Sequence, residues 1–259
     1  MKYSKGLVLS GGGYRAVAHI GLLKALKEHN IEPQVISGTS GGAVVGALYA
    51  AGYSADKMLE FFHETPVIKF SIRSLRQVGF IDSNKYINIL EKYFPKNSFG
   101  ALNIPLFVAT TNILSGKLEF YSKGRLIQYL IASSALPPIF SPVSLNNSLY
   151  SDGGILNNFP VEPLLDNCKC IIGSYVNPLN RVHKNDVNST LKLTGRVFHI
   201  ALDAQYKQKF KHCDFMFLPK KISNYSILKK SNIDEIFEVG YHAAIQQMDK
   251  IKASLCPEE

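Results

Sequence analysis

The chain is predicted to fold as an α/β protein, a three-layer α/β/α sandwich around a mainly parallel central sheet. Three observations predict it. Short apolar runs alternate with segments of helical periodicity through the first fifty residues. Two glycine-rich turns each sit after a strand pattern and before a helix pattern. No internal repeat, low-complexity tract or linker divides the 259 residues, so they read as one domain spanning 1–259.

Each element follows from local pattern. Gly6 to Ser10 is a short apolar run that ends on three glycines. From Arg15 to Asn30, Val17, Ile20, Leu23 and Leu26 recur at helical spacing. Val35-Ile36 forms the next strand, Gly38 to Gly42 a tight turn, and Ala43 to Ala51 a buried helix. Ser83 caps a helix running to about Phe94. Pro105 to Thr111 reads as a buried strand, with Lys117 to Tyr121 its partner across Ser115-Gly116. Leu126 to Ser134 is helical and stops before Pro137. Pro142 to Tyr150 is a hairpin turning through Asn146-Asn147. Cys170 to Val176 and Phe215 to Leu218 are later strands. Asn177 to Thr190 is a polar surface loop, and Thr194–Lys209 and Asp234–Lys252 are helices.

Bulk properties narrow the class. With 46% hydrophobic residues the chain can bury a sizeable core. A formal charge of +9 suits an anionic surface or substrate, or simply a soluble basic surface. Cys168, Cys170, Cys213 and Cys256 offer no zinc spacing and read as free thiols in a reducing compartment. No leader pattern opens the chain, and no apolar run approaches the roughly 18–20 residues that span a bilayer. The expected location is cytoplasmic, or peripheral at a membrane.

The residues with chemical potential cluster in three motifs. Gly38-Thr39-Ser40-Gly41-Gly42 matches G-x-S-x-G between a strand and a helix. A sharp turn there would lift Ser40 clear of its neighbours at the positive end of the next helix. The plain alternative is a glycine-rich turn with a capping serine. Ser10-Gly11-Gly12-Gly13-Tyr14-Arg15 can aim several amides at one anion. Arg15 would either brace that loop or hold a phosphate head group. The same glycines match a dinucleotide fingerprint, but Ser37-Gly38-Thr39-Ser40 stands where that fingerprint needs an acid. Asp152-Gly153-Gly154 follows the hairpin and, alone, reads as a turn.

Together the three motifs resemble the patatin-like phospholipase family. Leu7 to Gly13 with Arg15 is similar to its oxyanion loop, and Gly38 to Gly42 to its nucleophile elbow. Asp152-Gly153-Gly154, continued as Ile155 to Pro160, is similar to its aspartate motif. Ala132 to Pro137 and Phe140 resemble the stretch before that aspartate, and the likeness covers about Lys5 to Pro163. Ala16 stands where the family usually has glycine.

The resemblance implies a lipid acyl hydrolase working through a Ser–Asp dyad, without cofactor or metal. Ser40 would be the nucleophile and Asp152 the base. Gly11, Gly12, Gly13 and Gly41 would form the oxyanion hole, and Arg15 would bind substrate. Its partners would be an acyl lipid and a membrane surface, not nucleic acid. A general carboxylesterase and a catalytically idle lipid-binding protein are the other readings. An ordinary aspartate is a weak base for a serine hydroxyl, so the fold must bring the pair into contact and desolvate the carboxylate. His183, His199, His212 and His242 follow Asp152 in order and leave a Ser-His-Asp triad open. His19 is expected to pack. If helical, 66–80 aligns Lys69, Arg73 and Arg76 beside Ile68, Ile72 and Leu75, as a lid, a membrane contact or a core helix.

Overall fold

A computed structural model describes residues 1–65, 83–137 and 140–255. The 66–80 segment therefore lies outside the described residues. Strands β1 (Tyr3–Leu9), β2 (Val35–Thr39), β3 (Leu106–Asn112), β7 (Cys168–Ser174) and β8 (Phe215–Phe217) pair in parallel. Strands β4 (Lys117–Tyr121), β5 (Val143–Leu145) and β6 (Ser148–Asp152) add antiparallel pairs. Hydrogen bonding links them in the order β5-β6-β3-β2-β1-β7-β8, with β4 also on β3. Helices cover both faces of this mainly parallel sheet, as the sequence predicts.

The two-residue period of a strand sorts the core into two layers. Leu7 and Leu9 of β1, Ile36 of β2 and Ile172 of β7 face one side. There they meet α1 (Val17–Glu28), α2 (Gly41–Ala50), α3 (Ala55–Glu64), α4 (Ser83–Tyr93), α5 (Leu126–Ser134) and α7 (Ile233–Ile245). Val8, Val35 and Ile171 face the other side, against Phe159, Leu164 and Tyr206. Tyr206 belongs to α6 (Thr190–Lys207). On the first face α1 and α7 cross backbone to backbone. A side chain at Gly21 would meet the Tyr241 nitrogen at 2.4 Å, and one at Gly240 the Ala18 carbonyl at 2.1 Å.

Several boundaries move for identifiable reasons. A 3-10 turn over Gly13–Ala16 precedes α1, because the glycine loop must tighten before the helix starts. Ser189 accepts from the Lys192 amide and starts α6 at Thr190, inside the stretch read as loop and helix boundary. The C-terminal helix is two helices, α7 and α8 (Met248–Ser254), separated at Gln246-Gln247. The hairpin does turn through Asn146 and Asn147, both at positive φ (49° and 60°). Cys168 and Cys213 are free thiols, but Cys170 is disulfide-bonded, which corrects the expectation for that residue.

Candidate active site

The register of β3 brings the serine and the aspartate together. At Val108 and Ala109 one edge of β3 pairs with β2 and the other with β4. At Thr110 to Asn112 β4 keeps its edge, so β6 takes over the edge that β2 has left. β2 ends with Thr39 opposite Ala109, and β6 runs the opposite way to end with Asp152 opposite Thr110. The two strand ends meet head on, and Ser40 follows directly on Thr39. The Ser40 hydroxyl stands close enough to the Asp152 carboxylate to favour its anionic form, and both residues line one cavity.

Ser40 occupies a sharp strand-to-helix turn with φ 53° and ψ −129°, a strained conformation for a side-chain-bearing residue. Neighbouring glycines make it sterically feasible. A Cβ on Gly42 would lie 2.4 Å from the Ser10 carbonyl, and one on Gly38 2.8 Å from the Ala43 backbone. The turn is also tethered. The Ser40 amide donates to Ser133 Oγ (2.8 Å), which donates to the Ala109 carbonyl (2.7 Å). Thr39 Oγ1 donates to the Asn157 carbonyl (3.0 Å).

Asp152 is 4% exposed. Burial pushes its carboxyl up to about 7, against the Gly154 amide and the Ser40 hydroxyl, which both favour the anion. The Gly154 amide donates to Oδ1 at 2.7 Å. The turn behind it is pinned by Tyr206, whose hydroxyl donates to the Gly154 carbonyl (2.7 Å). No histidine lines the cavity beside the pair. All seven histidines are described, and none hydrogen-bonds Asp152. His199 reaches the Asn177 carbonyl and His242 pairs with Glu238.

The glycine loop packs onto the serine turn. An added Cβ on Gly11 would stand 3.2 Å from Ser40 Cβ, and one on Gly41 2.7 Å from the Gly13 carbonyl and 2.8 Å from the Ala16 methyl. The departure at Ala16 thus fills space directly against the serine turn. The amides are not equivalent. Gly11 N–H is spent on the Asn158 carbonyl (3.2 Å), so its part is close approach and not donation. Gly13 and Gly41 each begin a helical turn, where amide hydrogens have no partner within the turn. Gly13 sits at φ 54°, and a side chain there would strike the Ile227 carbonyl at 2.1 Å.

Arg15 turns away from the cavity and braces the loop. Its Nε donates to the Tyr225 carbonyl (2.7 Å), Nη2 to the Ser223 carbonyl (3.3 Å) and Nη1 to Asn177 Oδ1 (3.4 Å). Of the two roles considered for it, this geometry is the bracing one. His19 does more than pack. Its Nε2 lies 2.9 Å from the Ser10 carbonyl and its Nδ1 2.8 Å from Ser174 Oγ. A carbonyl only accepts, so Nε2 carries a proton. Burial lowers the imidazole pKa to about 4, so the ring is neutral near pH 7 and Nδ1 accepts from Ser174.

The pair opens on a largely apolar cavity. Phe61, Phe62, Leu136, Phe140, Ile227 and Leu228 line it. Ile227 and Leu228, like Tyr206 and Tyr225, lie beyond the part of the chain whose motifs are recognisable. Nothing local in the sequence marks them, since their role comes from long-range contacts. Asn157 and Asn158 carried a usable signal: two consecutive amides after Asp152-Gly153-Gly154, both buried in the fold.

The chain's similarity to known proteins agrees with this architecture. Residues 7–165 match the patatin-like phospholipase family model. An uncharacterized NTE family protein of Mycobacterium bovis is 31% identical over 164 residues, covering 61% of this chain and 44% of that one. The lysophospholipase NTE1 of Meyerozyma guilliermondii is 26% identical over 284 residues, covering 96% of this chain and 19% of its own length. The chain thus spans less than half the length of these relatives. The crystal structure of VipD from Legionella pneumophila superimposes with TM-score 0.54 at 15% identity, over 96% of this chain and 67% of that one, which speaks to the fold alone. The family match covers more than half of the chain and contains the glycine loop, Ser40 and Asp152, so the chain belongs to the patatin-like phospholipase family.

Proposed function

We propose that this protein is a serine-dependent lipid acyl hydrolase that cleaves fatty-acyl esters of phospholipids or lysophospholipids. The observation that carries the reading is the juxtaposition of Ser40 and a buried Asp152 beside an apolar cavity, where the ends of β2 and β6 meet. The names of the fungal relatives, lysophospholipases, point to the same substrate class.

In this reading the acyl chain lies along Phe61, Phe62 and Ile227, with its ester carbon beside Ser40. Ser40 Oγ attacks the carbonyl carbon as its proton passes to Asp152. The oxyanion develops against the amides of Gly12, Gly13 and Gly41. A preorganised donor of this kind is worth on the order of 10²–10³ in rate. Collapse breaks the ester C–O bond, and Asp152 returns the proton to the departing alcohol oxygen. Water then gives a proton to Asp152 as it attacks the acyl-enzyme carbonyl; collapse breaks the bond to Ser40 Oγ, Asp152 returns the proton to that oxygen, and the fatty acid leaves. An aspartate held near pKa 7 is half ionised near neutral pH, so it can serve as base in one half-reaction and acid in the other.

A fluorophosphonate probe tests the assignment. It should modify Ser40 in the wild type and nothing in Ser40→Ala. Modification of another residue would overturn the reading. A series of esters of rising chain length separates a lipid hydrolase from a general carboxylesterase. The apolar cavity favours rising kcat/KM with chain length, and a maximum at the shortest esters would favour the esterase.

A further inference from the structure

α6 turns an apolar stripe outward. Leu193, Val197 and Ile200, spaced i, i+4 and i+7, share one face and are 51%, 57% and 46% exposed. Helices on globular surfaces bury that stripe, so leaving it in water calls for a partner. The charges beside it are mainly basic. Lys192, Arg196 and Lys207 lie along one flank. The helix carries a single acid, Asp203, which is buried and paired with Lys207 at 2.6 Å. In the preceding loop exposed Arg181 and Lys184 outnumber the one acid, Asp186.

The stripe lies at the end of the sheet that carries Ser40. α6 is anchored there by Arg196 donating to the Asn180 carbonyl, by His199 near the Asn177 carbonyl and by Tyr206 on the Gly154 carbonyl. Asn177 follows the carboxyl end of β7, next to the Arg15 brace. Across the site, the β3–β4 turn rises past Asp152 on the same end of the sheet. It leaves Leu114 69% exposed, with Ile113 beside it. Exposed apolar side chains therefore stand on both sides of the catalytic pair in strand order, and the charge around the α6 stripe is mainly basic.

We propose that this face, centred on Leu193, Val197 and Ile200 of α6, is a docking surface for an anionic lipid bilayer. Apolar side chains enter the acyl boundary while the basic flank meets acidic head groups. Such contact would set the open cavity against the membrane, where an acyl ester can leave the bilayer for Ser40. The inference extends the proposed function to a surface, but its readout is binding and needs no turnover.

The test is cosedimentation of the full chain with vesicles of phosphatidylcholine containing about 30 mol % phosphatidylserine, with phosphatidylcholine alone as control. Wild type and Ser40→Ala should bind the anionic vesicles alike, and binding should weaken as salt is raised. A Leu193→Ser, Val197→Ser, Ile200→Ser triple variant should lose about tenfold or more of its vesicle partitioning. It should hydrolyse a dissolved short-chain ester within about twofold of wild type, because none of the three touches the cavity. Lys192→Glu alone should weaken binding to anionic vesicles only. Undiminished partitioning of the triple variant, or no binding by the wild type, would overturn the proposal. So would a stable wild-type dimer that the triple variant dissociates, since a second copy would then be the occupant. Loss of esterase activity in Ser40→Ala bears on the catalytic reading and not on this one.

Discussion

Replacing Asp152 with asparagine should move activity and stability in opposite directions. The buried carboxyl sits near 7 against an ordinary value of 3.8, so the folded protein holds its proton more tightly than the unfolded chain does. For a group raised in this way, stability is highest at low pH and is lost as pH rises from the unfolded value through the folded one. The slope is about 1.4 kcal/mol per pH unit, so ionising Asp152 costs the fold about 3 kcal/mol between pH 5 and pH 8. Asparagine keeps an oxygen for the Gly154 amide and can donate its own amide to Ser40, yet it does not ionise. Asp152→Asn should therefore gain about 3 kcal/mol on the wild type over that interval, read by urea unfolding at each pH. In a domain of this size that is a relative rise in Tm of roughly 5–10 °C. The contribution of neutral His19 cancels in the comparison. Esterase activity should fall by about 10³ or more, since the base is gone. Wild-type kcat/KM should rise with pH through about 7 and level off, because the base works only when ionised. A wild-type–variant stability difference that is flat from pH 5 to pH 8, or an active Asp152→Asn, would refute the argument.

Other outcomes follow from the same geometry. His19→Gln should lower kcat about tenfold or more with KM little changed, because the Ser10 carbonyl that orients the glycine loop loses a donor; a rise in KM alone would argue against a positioning role. Tyr206→Phe should destabilise by about 1 kcal/mol in chemical denaturation, since the part-buried Gly154 carbonyl keeps no donor from α6. Gly42→Ala should yield little folded protein, as judged by circular dichroism, because its methyl would stand 2.4 Å from the Ser10 carbonyl with backbone on both sides. Ile227→Ala and Leu228→Ala should shift the preferred ester toward longer or bulkier acyl chains, with short-chain turnover unchanged.

The comparison of sequence with structure divides along a physical line. Alternating apolar runs, the glycines around Ser40 and the turn asparagines report local requirements, such as strand pleat, a crowded turn and positive φ, so the α/β class and the serine turn were legible from residues alone. Boundaries such as the start of α6 were less so, because a single capping serine decides them. What Arg15 and Gly11 bind in the fold was not legible, for one reason. A side chain or amide facing the right way in sequence is spent on a distant carbonyl, Tyr225 or Asn158, that only folding supplies.

What the sequence determined by itself was the set of reactive parts and the backbone turns that hold them, since these depend on neighbours within a few residues. The tertiary structure decided whether those parts meet. Ser40 and Asp152, far apart along the chain, come together because β2 and β6 end head to head on one edge of β3. The depth of burial that lifts Asp152 into the range of a useful base is likewise a sum over distant segments, including Tyr206 from α6, and no stretch of residues carries that sum on its own.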